Sequence, residues 1–75
     1  MLVKGPNQII NLNNNNLCAK SYGGDSVIKI VKGVNNSWNL ACFNDGKAAH
    51  EILADIWRAV KAGAGYYEIP TDKLA

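Results

Sequence analysis

Between Asn44–Asp45 and the glycines at 63 and 65, apolar residues recur at the spacing of a helix: Ala49, Ile52, Leu53, Ile56, Trp57 and Val60. Placed at about 100° per residue, they share one face. A helix with a single apolar stripe has to bury that stripe against another layer, so this feature fixes a two-layer architecture. Its limits are signalled as well. Asn44 can accept a hydrogen bond from the free N–H groups of a first helical turn, and Asp45 suits the positive end of the helix dipole. Gly63, just after Lys61 and Ala62, fits a left-handed C-terminal cap, and Gly65 prevents continuation. The pattern predicts a helix from about Asp45 to Ala62.

The partner layer comes from the segments before it. "QIINL" at 8–12 is apolar and β-branched, and the asparagines at 13–16 end it with turn-forming side chains. "LCAKSY" at 17–22 reads as a short strand closed by Gly23, Gly24 and Asp25; "SVIKIVK" at 26–32 is a stronger one. In "SWNLACF" at 37–43, Trp38, Leu40 and Cys42 alternate with Asn39, Ala41 and Phe43, and "GVNNS" before it reads as a hairpin loop. "YYEI" at 66–69 is a further extended segment that Pro70 ends, leaving "TDKLA" as a mobile tail. The predicted fold is therefore α+β: a small antiparallel sheet of about four strands, packed by one C-terminal amphipathic helix and followed by a short closing strand. Residues 1–75 form a single domain in this reading, with 71–75 as its tail.

At 75 residues the chain can build one modest core, which predicts a homodimer or higher homo-oligomer. Its 48% hydrophobic content excludes a disordered chain of low apolar content, and a formal charge of +2 does not by itself mark a nucleic-acid binder. Cys18 and Cys42 have no metal-ligand or Cys-x-x-Cys spacing and read as reduced, mostly buried thiols. No segment has the roughly 20 apolar residues of a membrane span or the pattern of a leader. The expected location is the cytoplasm, without membrane association.

The order "IINLNN", an extended pair ending in an aromatic, an Asn-capped helix and a closing "YYEIP" with Thr71 and Asp72 resembles small proteins of phages and mobile elements in low-GC Gram-positive bacteria. Phe43, Asn44 and Ala49 match the strand end, cap and first core alanine of that pattern, and Tyr67, Glu68, Ile69 and Pro70 match its finish. Gly46 and Lys47 depart from it, standing where the relatives tend to be acidic. The resemblance implies a phage-type protein that counters host defence from the host cytosol.

Several catalytic readings fail on the residues. "HEILAD" at 50–55 lacks the second histidine of a zinc-protease helix, since Ala54 holds that position and His50 is the chain's one histidine. Glu51 and Asp55, one turn apart, read as solvated carboxylates rather than an acid–base pair. "AGAG" at 62–65 follows a helix instead of preceding one, so it does not aim amides at a phosphate. No enzymatic activity, cofactor or metal is expected. A binding stripe is. Lys47, His50, Ala54, Arg58 and Lys61 fall in one narrow sector of the helix, bordered by Trp57, with Glu51 and Asp55 beside it. Cations beside an aromatic ring suit a phosphate-bearing ligand with a flat base. The predicted ligand-binding set is Lys47, His50, Trp57, Arg58, Lys61, Tyr66 and Tyr67. It implies a non-enzymatic protein sequestering a nucleotide-like signalling molecule at an oligomer interface. The alternative is an inhibitor that binds a host defence protein or a phage protein through its helix face or a sheet edge. Nucleic acid ranks behind both, because Lys4, Lys20 and Lys73 are scattered along the chain.

Overall fold

The structure is a computed structural model and describes residues 1–72 and 74–75. Among them the chain forms β1 (Leu2–Lys4), β2 (Ile9–Asn11), β3 (Asn16–Tyr22), β4 (Asp25–Lys32), β5 (Asn36–Phe43), α1 (Ala48–Lys61) and β6 (Tyr66–Glu68). Instead of one antiparallel sheet of four strands, there are two sheets of three, ordered β3-β4-β5 and β2-β1-β6. The α+β class stands, and the sheet is divided.

The β3-β4-β5 sheet is an antiparallel meander of neighbouring segments, as expected from their β-branched content and the turn residues between them. Its register aligns Ile28 with Ala19 and Ala41, and Ile30 with Leu17 and Trp38, so those side chains share the face that looks toward α1. The strict alternation predicted for β5 breaks once. Ile28 pairs with Ala41 but Lys29 pairs with Asn39, leaving Leu40 as the extra residue of a bulge. Leu40 and Ala41 are consequently both buried. The same register puts Cys18 and Cys42 on the outer face of the sheet, where Cys18 is half-buried and Cys42 exposed, so the expectation of two buried thiols does not hold. Both are free.

The second sheet was not legible as a unit. β1 has only three residues; it pairs antiparallel with β2 and parallel with β6, which arrives from the far side of the helix. Val3, Ile10 and Tyr67 form its inner row, while Leu2, Asn11 and Tyr66 form an outer one. A contact joins it to the meander at the bulge: a Cβ on Gly5 would stand 2.8 Å from Leu40 Cδ1, so only glycine fits there unshifted. One apolar cluster then runs from Val3 and Ile10 through Ile28, Ile30, Leu40 and Phe43 to Ile52, Ile56 and Ile69.

The helix starts later than predicted, and its cap comes from elsewhere. Asn44 is exposed outside it, and the boundary residue Lys47 makes no side-chain cap. Asp45 Oδ1 accepts from the Lys47 N–H at 2.7 Å, and Ser26 Oγ on β4 accepts from the Ala49 N–H at 3.0 Å while donating to the Asp45 carbonyl at 2.5 Å. A strand serine thus satisfies groups that capping normally leaves to the helix's own sequence. The C-terminus follows the sequence closely. Gly63 adopts φ +78°, its N–H donates to the Val60 carbonyl at 3.1 Å, and the Ala64 N–H donates to the Ala59 carbonyl at 3.0 Å. That is the Schellman arrangement.

The helix packs chiefly on β3 and β4. It buries Ala48, Ala49, Ile52 and Ile56, with Leu53 half-buried, but Trp57 and Val60 remain 47% and 40% exposed. The predicted stripe is therefore rotated by part of a turn. By helical period Trp57 and Val60 continue the flank of His50, which contacts Ser21 on β3, the edge strand of its sheet. At the other edge, the terminal segment expected to run free is tied to β5: Leu74 bridges Phe43, and the Ala75 N–H donates to the Cys42 carbonyl at 2.9 Å. Lys73, part of that segment and one of the scattered lysines, lies outside the described residues.

Candidate functional site

The predicted stripe occupies the crest of α1, the side directed away from its core face. Lys47, His50, Ala54 and Lys61 are exposed there, around the small residue as predicted. Lys47 precedes the first helical residue and Lys61 is the last, so at about 1.5 Å per residue they stand roughly 20 Å apart. One phosphate group cannot engage both. His50 leans toward the sheet, its Nδ1 3.4 Å from Ser21 Oγ, and that hydroxyl donates to the Gly46 carbonyl at 2.6 Å. Among the described residues, neither Lys47 nor Lys61 forms an ion pair.

Arg58 behaves differently. Its guanidinium bonds the Asp55 carboxylate one turn back. The pair is exposed, so it adds little stability, but it directs the arginine away from the crest. Arg58 and Asp55 line a groove of about 530 Å³ between the helix and the chain after β6, together with Glu51, Ile52, Pro70 and Asp72. Three carboxylates surround one guanidinium there, a lining that disfavours an anion. Arg58 thus faces a different surface from the lysines of the predicted set, and its i, i+3 spacing from Asp55 is the local signal for that pairing.

The tyrosines separate by strand alternation. Tyr66 is 48% exposed on the outer row of the second sheet, its hydroxyl donating to Glu68 Oε1 at 3.3 Å. Tyr67 faces inward and packs against the core. Burial raises its phenol pKa above the usual value near 10, and the charge of Arg58 opposes that rise. The seven predicted residues therefore do not converge. Lys47, His50, Trp57 and Lys61 share the outer helix surface, Arg58 turns to the acidic groove, Tyr67 to the core, and Tyr66 to a different sheet.

Other surface features escaped the sequence reading. The outer face of the meander aligns Lys20 with Val27 and Cys42, and Cys18 with Lys29 and Asn39. Lys29 Nζ donates to Asn39 Oδ1 at 3.1 Å, beside a groove of about 320 Å³ that also takes in Tyr22 and Asp25. Only a known register reveals those rows. Among the described residues no three His, Cys, Asp or Glu side chains are grouped to hold a metal ion, and no helix is long and apolar enough to cross a membrane. No protein-family model, curated protein or solved structure matches the chain.

Proposed function

We propose that this chain is a small non-enzymatic interaction protein that presents the basic crest of α1 to an anionic surface on a partner protein. The observation that carries this reading is the exposure of Lys47, His50 and Lys61 around Ala54 on a convex helix face, with no ion pair on either lysine among the described residues. A convex, extended charge distribution suits a broad acidic patch better than a small molecule, which is ordinarily held in a concave site. The phage resemblance supplies the setting, in which the partner is a host defence protein or a phage protein and binding inhibits it.

A second reading, sequestration of a nucleotide-like ligand, is supported by the exposed Trp57 ring one helical turn before Lys61 and two turns after His50. It requires a second subunit to enclose the ligand. One set of measurements separates the two. Protein purified from host cells is examined by native mass spectrometry for a retained nucleotide, and tagged parent and Lys47→Glu/Lys61→Glu chains are compared for partner capture from host lysate. The interaction reading expects a partner whose recovery falls at least about tenfold in the double variant and declines with added salt. Equal capture by both folded chains overturns it. A nucleotide released only on denaturation favours the second reading instead.

A further inference from the structure

A sheet edge carries unpaired N–H and C=O groups, and proteins shield such edges with short strands, charges, prolines, bulges or a covering segment. Three of the four edges of this fold are shielded in that sense. β2 and β6 have three residues each, and β5 is bulged at Leu40 and, at its Cys42–Phe43 end, bridged by Leu74 and bonded by Ala75. The fourth is not. β3 is seven residues long, pairs in unbroken register with β4, contains no proline, and carries only Lys20 as a charge.

Its turn tells which groups point outward. Tyr22 pairs with Asp25 across a two-residue loop whose first residue, Gly23, has φ +67°, the pattern of a type II′ hairpin. The pair flanking such a turn is hydrogen-bonded, and bonding alternates along an antiparallel strand. Asn16, Cys18, Lys20 and Tyr22 are thus satisfied by β4, and Leu17, Ala19 and Ser21 direct their backbone groups to the open edge.

We infer that this edge pairs with β3 of a second copy, antiparallel about a two-fold axis at Ala19, to make a continuous six-stranded sheet. In that register Ala19 meets Ala19, Leu17 meets Ser21, Cys18 meets Lys20 and Asn16 meets Tyr22. The outward-directed residues face one another, no like charges are opposed, and the smallest side chain lies on the axis. The helix flank supplies the argument for a second copy over a foreign strand. The His50–Ser21 contact places that side of α1 above β3, and Leu53, Trp57 and Val60 continue along the same flank over the following turns. A two-fold axis normal to the sheet sets the two helices antiparallel and side by side, so these apolar residues cover their own counterparts. A foreign strand alone would leave Trp57 and Val60 in water. The pairing is independent of the partner proposed for the crest, because Lys47 and Lys61 remain on its outside.

The test uses the full chain with Cys42→Ser, leaving Cys18 as the only thiol. Sedimentation equilibrium should show a dimer, and a bis-maleimide reaching across diagonal neighbours, roughly 7–8 Å apart, should join two chains through Cys18. Two variants attack the interface from different layers. Ala19→Pro removes an edge N–H that β4 does not use, and Trp57→Lys charges the helix seam. Each should weaken the dimer at least about tenfold while the far-UV helix signal is kept. If Ala19→Pro fails to fold, Trp57→Lys decides. A monomeric parent at hundreds of micromolar overturns the proposal and leaves the edge to a foreign strand. A dimer that survives Trp57→Lys and forms no Cys18 crosslink overturns it too.

Discussion

Ser26 shows how much one side chain can do without any signature in the sequence. It sits in β4 among valine and isoleucine, is 2% exposed, and holds both the Ala49 N–H and the Asp45 carbonyl. Removing its hydroxyl leaves a buried donor without its acceptor, which costs the desolvation of that group rather than the net value of one bond. Ser26→Ala should therefore destabilise the fold by about 1–3 kcal/mol in urea titration, more than Asn44→Ala, whose side chain the helix start does not use. Equal midpoints for the two would show that the Ser26 hydroxyl does not carry the cap, and a greater loss for Asn44→Ala would assign it to Asn44. Local spacing favours Asn44, because it precedes the helical pattern directly; a residue far earlier in the chain caps the helix because β4 lies beneath its N-terminus.

At the level of the element, the helix was legible in type, approximate position and C-terminal cap, since a 3.6-residue period and a glycine in the left-handed region are local properties. Its rotation was not. Six residues fit the apolar sector, but Trp57 and Val60 stay exposed on the flank that His50 turns toward β3, the edge strand of the sheet. Ile56→Ala should accordingly cost about 2–5 kcal/mol, from lost burial and the cavity left beneath. Val60→Ala should cost well under that in the isolated subunit, measured at low protein concentration. Similar losses for both would place the flank in the core and the rotation described above would be wrong. The basic sector shows the same division: four of its side chains stay on the outer surface, while Arg58 leaves the crest because Asp55 lies one turn away on the groove side.

At the scale of the molecule, the two sheets share one apolar cluster, to which one contributes Val3 and Ile10 and the other Ile28, Ile30 and Phe43. A fold this small with one core should unfold in a single cooperative transition. Val3→Ala, in a strand of three residues distant in sequence from the helix, should lower stability by about 1–3 kcal/mol and shift the tryptophan fluorescence and helix circular dichroism transitions together. Separate transitions would mean that β2-β1-β6 is an independent appendage.

The sequence by itself determined the class of the fold, the meander segments, the helix with its glycine stop, and the concentration of basic side chains on one helical sector. Each depends on residues within a few positions of one another, through β-branching, turn chemistry and helical period. Tertiary structure alone decided the division into two sheets, because β1 pairs with a strand more than sixty residues away and three residues carry too little pattern to announce it. It also decided the bulge at Leu40, the cap from Ser26, the outward placement of both cysteines, and the separation of Arg58, Tyr66 and Tyr67 from the crest. In each case the outcome depends on which distant segment arrives next to the residue, and no local spacing encodes that.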